Sequence, residues 1–314
     1  MAVCQCGVKV YESNFDIAVA PTEFIPGRSN NQDVVGKERS KMKPDQKWRN
    51  IIHAYTRRQL THNTDRLPAI SGLARRFRDP ESAHGTYIAG FWYTDAMAED
   101  LTWFNPHGFH EPIDPQSKAI DDDASCGSFE RLPPSYAPSW SWASVAVPVA
   151  FEGNHYMNME KYFKADWSVV SISHTLASED PLGPVSSALL TLSCYVIPII
   201  SMSPRTVVTV LDNTIGPDCP VSWDVGRFED ERSPEAFEYR VFVARWQHGY
   251  FSGLIVKRRK EQELGKADVE RPWQRMGCIW DSNRRRYPTK REMEFQKTQE
   301  EWTSMHPRVN VMLE

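Results

Sequence analysis

The stretch "PSYAPSWSWASVAVPVAFEG", Pro134 to Gly153, is where the character of the chain changes. Before it lies a proline-rich, acidic run; after it the hydrophobic period falls to two. In extended conformation Trp140 and Trp142 project to one face, and Ser139, Ser141 and Ala143 to the other. The stretch is therefore expected to open a packed β region as a strand, with both tryptophans largely buried and a small face that lets a neighbouring backbone come close. A tryptophan pair on one strand face also suits stacking on a sugar or a base, but that use requires an exposed indole in a cleft. Neither serine stands in a G-x-S-x-G elbow, so nucleophilic catalysis has no local support.

Downstream, "ALLTLSCYVIP" alternates Leu190, Leu192, Cys194 and Val196 with Thr191, Ser193 and Tyr195, the pattern of a strand with one buried face. Similar runs occur at "WSVVSIS", "RTVVTVLD", "EYRVFVARWQ", "FSGLIVK" and "QRMGCIW", separated by Pro, Gly, Asp and Asn. They predict a mostly antiparallel β-rich region over 138–288, sandwich or barrel-like. Thr289 and Glu292 in capping-box positions start a charged helix in "TKREMEFQKTQEEWTSM", and "RVNVMLE" returns as an edge strand, so 289–314 forms a C-terminal helix and strand.

Upstream the period is helical. In "PDQKWRNIIHAYTRRQL" Trp48, Ile51, Ile52 and Tyr55 share a face, with Asp45 as N-cap. In "NTDRLPAISGLARRF" Leu67, Ile70, Leu73, Ala74 and Phe77 do the same, with Thr64 or Asp65 as cap and Pro68 in the first turn. A third helix is expected in "TDAMAEDLTWF", aligning Met97, Leu101 and Phe104, and short connections suggest that the three pack on one another. The fold class is thus α+β: an irregular segment over 1–45, a helical region over 46–104, a Pro-rich acidic linker over 105–137, then the β-rich region.

The chain has 314 residues, a net charge of -4, 11 Trp and six Cys. Its length buries an ample core, and its charge gives no global field toward nucleic acid or anionic lipid. The cysteines show no repeated spacing, no window offers the ~20 apolar residues of a membrane helix, and the start lacks a signal-peptide pattern. An intracellular, reduced, cytoplasmic protein is expected, with no nucleic-acid partner and no membrane span.

Candidate chemistry is sparse. His107 and His110 in "HGFH", with Cys126 and the opening Cys4 and Cys6, lack the second ligand pair that zinc sites want, so no metal is expected. The runs "KRRK" (Lys257 to Lys260) and "RRR" (Arg284 to Arg286) sit at strand ends, where solubility and edge protection explain them. Glu99, Asp100 and Glu152 show no spacing tied to a hydrolase, and no cofactor-cradling glycine loop occurs.

Read together, "KWRNIIHAYTRRQLTHNTDRLPAISGLARRF", "GTYIAGFWYTDAMAEDLTWF" and "APSWSWASVAVPVAFEG" resemble the region downstream of the HET domain in fungal heterokaryon-incompatibility proteins. Members there show a tryptophan-led helix, "D-R-L-P-A-I-S-G-L-A", a "Y-x-A-G-L-W" helix ending in "L-L-W", and "P-S-W-S-W-A-S". This chain matches them in order, with Phe91 and Thr102 where leucine is usual. The motif positions are Asp65, Arg66, Leu67 and Pro68, then Pro138, Ser139, Trp140, Ser141, Trp142, Ala143 and Ser144. "DPLGPVSSALLTLSCYVIPI", "GLIVKRRK", "WQRMGCIWD" and "CQCGVKVYES" are similar to further family segments.

The HET domain proper, a TIR-like module linked to incompatibility-triggered cell death, carries "Y-x-A-L-S-Y-x-W-G" and "D-A-L-C-I-N-Q" motifs, and neither occurs here. The resemblance therefore implies a non-enzymatic protein without cofactor, acting in fungal non-self recognition through protein partners, HET-domain proteins among them, or a truncated product of such a gene. The alternative is an enzyme or carbohydrate-binding protein that uses the Trp-rich β region.

Overall fold

The computed structural model describes residues 43–58, 60, 62–77, 85–106, 131–151, 165–202, 207–209, 221–224, 236–247, 250–260, 271–280 and 300–314. Helix α1, Pro44–Thr56, starts with proline at its first position, where the missing N–H costs nothing, and its N-cap is Lys43. Asp45 thus stands inside the first turn rather than at the expected cap. Trp48 and Ile52 are buried, with Ile51 and Tyr55 packed beside them.

Helix α2, Arg66–Phe77, is preceded by a 3-10 turn over Asn63–Asp65, which takes up the positions expected to cap it. Leu67, Ile70 and Ala74 are buried as the periodicity requires, whereas Leu73, expected on the same face, is 41% exposed. Burial of Ser71 in its place shows that the inward stripe is rotated slightly from the one that hydropathy alone selects.

The third expected helix is one turn only, α3, Met97–Asp100. The "Y-x-A-G-L-W" stretch, helical in the resemblance, is instead a β-hairpin of β1, Tyr87–Ile88, and β2, Phe91–Trp92. After α3 the chain extends as β3, Trp103–Phe104, which pairs with β4, Ala150–Phe151. The helices pack around this hairpin rather than as a three-helix cluster: Trp48 lies 5.2 Å from Phe77 of α2, and 5.9 and 6.0 Å from Tyr87 and Trp92.

Among the described residues the main sheet is mostly antiparallel and has eight strands. They are β5 Ser168–Leu176, β6 Val185–Met202, β7 Val207–Thr209, β8 Val221–Trp223, β9 Phe237–Gln247, β10 Tyr250–Arg259, β11 Gln274–Trp280 and β12 Val309–Leu313. The order β12-β6-β9-β10-β11-β8 is extended by β5 and β7, both on β6. The α+β class and the antiparallel β-rich part are as expected, and each of the six alternating runs forms a strand. Among the described residues the ladders do not close into a barrel, and one isolated parallel bridge, Trp273 to Leu313, joins β12 to the residue before β11.

In β6, Leu190, Leu192 and Cys194 point into the core as their alternation requires. The centre of the sheet behaves differently, because every residue from Val241 to Trp246 is buried. Phe242, Ala244, Leu254 and Val256 join the large core shared with the helices, while Val241, Val243, Phe251 and Ile255 form a second core on the opposite face. A strand covered on both faces reads as a continuous apolar run.

The described ends of the 105–137 stretch, Asn105 and Leu132 to Ala137, include buried residues, and Leu132 and Ala137 belong to the hydrophobic interior. Residues 300–305 are helical, and the expected Thr289 and Glu292 cap lies outside the described residues. No helix among the described residues is long and apolar enough to cross a membrane.

Candidate functional site

The "PSWSWAS" stretch is not a strand. Pro138 to Ser141 turns, and Trp142–Ser144 is a 3-10 turn capped by Ser141, whose Oγ accepts from the Ala143 N–H at 3.0 Å. Extended geometry loses here because the neighbouring backbone leaves carbonyl groups unpaired, and these serines supply the donors.

Those carbonyls come from the hairpin. Ala89 and Gly90, between β1 and β2, both have positive φ, 48° and 95°, the two-residue geometry that matches the twist of the flanking strands. This exposes the hairpin tip to three donors. The Gly90 carbonyl accepts from Trp48 Nε1 at 3.0 Å and from Trp142 Nε1 at 3.1 Å, and the Ala89 carbonyl accepts from Ser141 Oγ at 2.7 Å. A side chain at Gly90 would place its first carbon 2.5 Å from Trp142 Nε1, so the position is closed to anything larger. Trp140, stacked on Phe91 with ring centres 6.1 Å apart, accepts at its own carbonyl from Trp103 Nε1 at 2.9 Å.

Trp140 and Trp142 are each 0% exposed, as the packing reading expected, and neither offers an indole face to a sugar. Ser139 donates its N–H to the Glu314 carbonyl at 2.9 Å, and its hydroxyl donates to the same oxygen while accepting from the Arg275 N–H at 3.0 Å. Ser144 Oγ accepts from Arg131 Nη1 at 3.0 Å and donates to the Ser139 carbonyl at 3.3 Å. Every serine of the motif is thus committed to holding other segments.

Beneath them lies an ionic core that the sequence reading did not single out. Arg275, on β11, is fully buried, and each of its three nitrogens donates: Nε to Asp224 Oδ2 at 3.0 Å, Nη1 to the Leu101 carbonyl at 2.7 Å, Nη2 to Asp224 Oδ1 at 3.1 Å. Nη2 also reaches the Trp103 carbonyl, and the guanidinium carbon sits 3.4 Å from the centre of the Trp103 ring. Arg131 shares the same carboxylate, Nη2 to Asp224 Oδ2 at 2.8 Å, and burial holds its guanidinium below the usual range against the attraction of Asp224. Two cations on one carboxylate are tolerable in the interior because backbone carbonyls take the remaining donors. Asp224 lies just past β8, a three-residue strand without an alternation signal, and an arginine in "QRMGCIW" reads as outward-facing until its partners are known.

A second buried pair joins α1 to α3. Arg49 Nε bonds Asp100 Oδ1; the carboxylate keeps the arginine charged despite burial, and burial lifts Asp100 to about 6 against the pull of Arg49. Glu99 accepts from the Ala165 N–H at 3.2 Å, so these adjacent carboxylates face different partners. His53 donates from Nδ1 to the Val149 carbonyl at 2.8 Å, and burial pushes its pKa below the usual value.

Of the other motif residues, Leu67 is buried and Asp65 and Pro68 are exposed at the start of α2. Arg66 is buried, donates Nη2 to the Val147 carbonyl at 3.0 Å, and lies 5.8 Å from the Trp142 ring centre. The fold thereby brings "DRLP" and "SWSW" together at one node. In the "KRRK" run, Lys257 lies over Phe237 and Arg258 over Trp273, with Arg258 also paired to Glu238 at 2.9 Å, so packing on the sheet accounts for two of the four charges. Among the described residues no group of three His, Cys, Asp or Glu is gathered to hold a metal. Cys4, Cys6, His107, His110, Cys126, Glu152 and Arg284 to Arg286 lie outside the described residues.

Comparison with family models, with curated proteins and with solved structures gives no match.

Proposed function

We propose that this chain is a HET-related, non-catalytic module that acts in fungal non-self recognition through protein contacts, with a HET-domain protein as partner. The observation that carries the contact reading is strand β5, "SVVSISHTL", at the edge of the main sheet. It pairs with β6 along one side, and no other described strand pairs with it. Its nine residues include no acidic residue, no Lys or Arg and no proline, the features that commonly block strand addition. Val170 is 48% exposed, and Ser171, Ser173 and Thr175 are exposed beside it. Such an edge accepts an extended segment of a partner by main-chain hydrogen bonding.

The two motifs that carry the resemblance pack together in this chain. Arg66 and Trp142 stand 76 positions apart in the chain and meet at one node.

The test is co-purification of the full chain with a HET-domain protein, repeated with the exposed edge positions charged, Val170→Lys with Ser173→Lys. Association of the wild type that is lost in the double variant at unchanged thermal midpoint is the expected result. Absence of association in the wild type refutes the partner, and undiminished binding by the double variant refutes the edge.

A further inference from the structure

Strand β5 and the residue after it carry a near-palindrome. Val170 is an extra residue in the β5–β6 ladder, where the register steps from Val169 to Ser171, and such a bulge ends regular pairing on the strand that holds it. At the other end Ala177 leaves the strand and donates its N–H to the Pro184 carbonyl at 2.9 Å, closing the turn. A second step, at Thr175 and Leu176, puts its extra residue, Ser186, on β6, so β5 itself runs evenly there. The regular run is therefore Ser171 to Ala177, "SISHTLA", with His174 at its midpoint. Counted inward from either end it gives a small residue, a branched aliphatic, a hydroxyl and then histidine.

Its two faces are sorted as well. Ile172 and Leu176 pack beside the large core, and His174, which is exposed, stands opposite buried Ala188 on that same side. Ser171, Ser173 and Thr175 are exposed on the other side. The run contains no Asp, Glu, Lys or Arg, and among the described residues β6 alone pairs with β5.

We propose that β5 pairs with β5 of a second copy of this chain, antiparallel about a two-fold axis at His174, so that two sheets join edge to edge. A two-fold contact needs a surface that complements itself. This register sets Ile172 against Leu176, Ser173 against Thr175, Ser171 against Ala177 and His174 against its own counterpart. Residues paired across an antiparallel ladder share a face, so the apolar pairs line one side of the joined sheet and the hydroxyls the other. Centring the pair on Ser173 instead sets Ile172 against His174 and draws in the Val170 bulge. The inference rests on the reading of β5 as an open edge, and it gives that edge a second occupant: one edge accepts one neighbour, so the dimer withholds it from a partner segment.

The test is sedimentation of the full chain alone. The wild type is expected to double its mass with a Kd on the order of 10–100 μM, as suits a contact of one strand pair. His174→Lys places two ammonium groups opposite each other at an exposed position and is expected to raise that Kd by at least about fivefold at unchanged thermal midpoint. In His174→Cys the paired Cβ atoms come within reach of a disulfide, so oxidation with copper phenanthroline is expected to yield a covalent dimer beyond the wild-type background. A wild type that stays monomeric up to about ten times that Kd range overturns the proposal and leaves partner binding at the edge to its own test. Undiminished self-association of His174→Lys overturns β5 as the contact, and a His174→Cys dimer that does not cross-link overturns the register.

Discussion

Two serine-rich stretches of this chain are used in opposite ways. In Pro138–Ser144 the serines are buried; the Ser139 and Ser141 hydroxyls bond backbone groups of other segments, and that of Ser144 accepts from Arg131 and donates to the Ser139 carbonyl. In β5 the serines at 168, 171 and 173 are exposed on an edge strand. Serine has the same donor and acceptors in both places; what differs is whether neighbouring backbone has groups left unpaired. The hairpin tip, the Glu314 carbonyl and the start of β11 provide such groups around "SWSWAS", whereas on its β6 side the β5 ladder is already satisfied.

The contrast can be broken most severely at Trp142. Trp142→Ala removes a fully buried indole and one of the two donors to Gly90, and is expected to cost about 4–5 kcal/mol by denaturant unfolding. Asp224→Asn keeps the shape of the ionic core and removes its anion, leaving Arg131 and Arg275 uncompensated, for an expected loss of about 3–4 kcal/mol. If that variant is as stable as the wild type, the network does not hold the hub.

Smaller changes sharpen the comparison. Ser141→Ala leaves the Ala89 carbonyl without its donor and uncaps the 3-10 turn, for about 1–3 kcal/mol. Ser173→Ala on β5 is expected to stay within about 0.5 kcal/mol. Equal losses at the two serines would erase the distinction.

The smallest effect is in pH. His53 has a depressed pKa in the folded chain, so it binds fewer protons there than when unfolded. Its contribution is present above the unfolded value of about 6.5 and is lost as the pH falls through the folded one. His53→Gln is expected to flatten the fall in stability below pH 6.5 relative to wild type, and an unchanged slope contradicts the burial assigned to this ring.

Much of the sheet was legible because burial on one face writes itself into alternation, as at Leu190, Leu192 and Cys194. The hairpin was not legible, because Ala89-Gly90 lacks the asparagine or aspartate that usually marks positive φ at a first turn residue. Nor was the turn at Trp142: its alternation with serine imitates a strand, and the hydrogen bonds that decide otherwise come from residues 52 positions away. Arg275 was hidden for a related reason, since its compensating groups, Asp224, Leu101 and Trp103, come from separate parts of the chain.

These separations carry a kinetic consequence. Ser139 bonds Glu314 across 175 positions, and Arg275 bonds Leu101 across 174. Closing loops of that length precedes most of the reward for doing so, so the hub forms late and its assembly sets a slow step in folding. Until then the hairpin carbonyls and the indoles that later cover them stand open to water and to other chains, which makes the interval before closure the time of greatest exposure to aggregation.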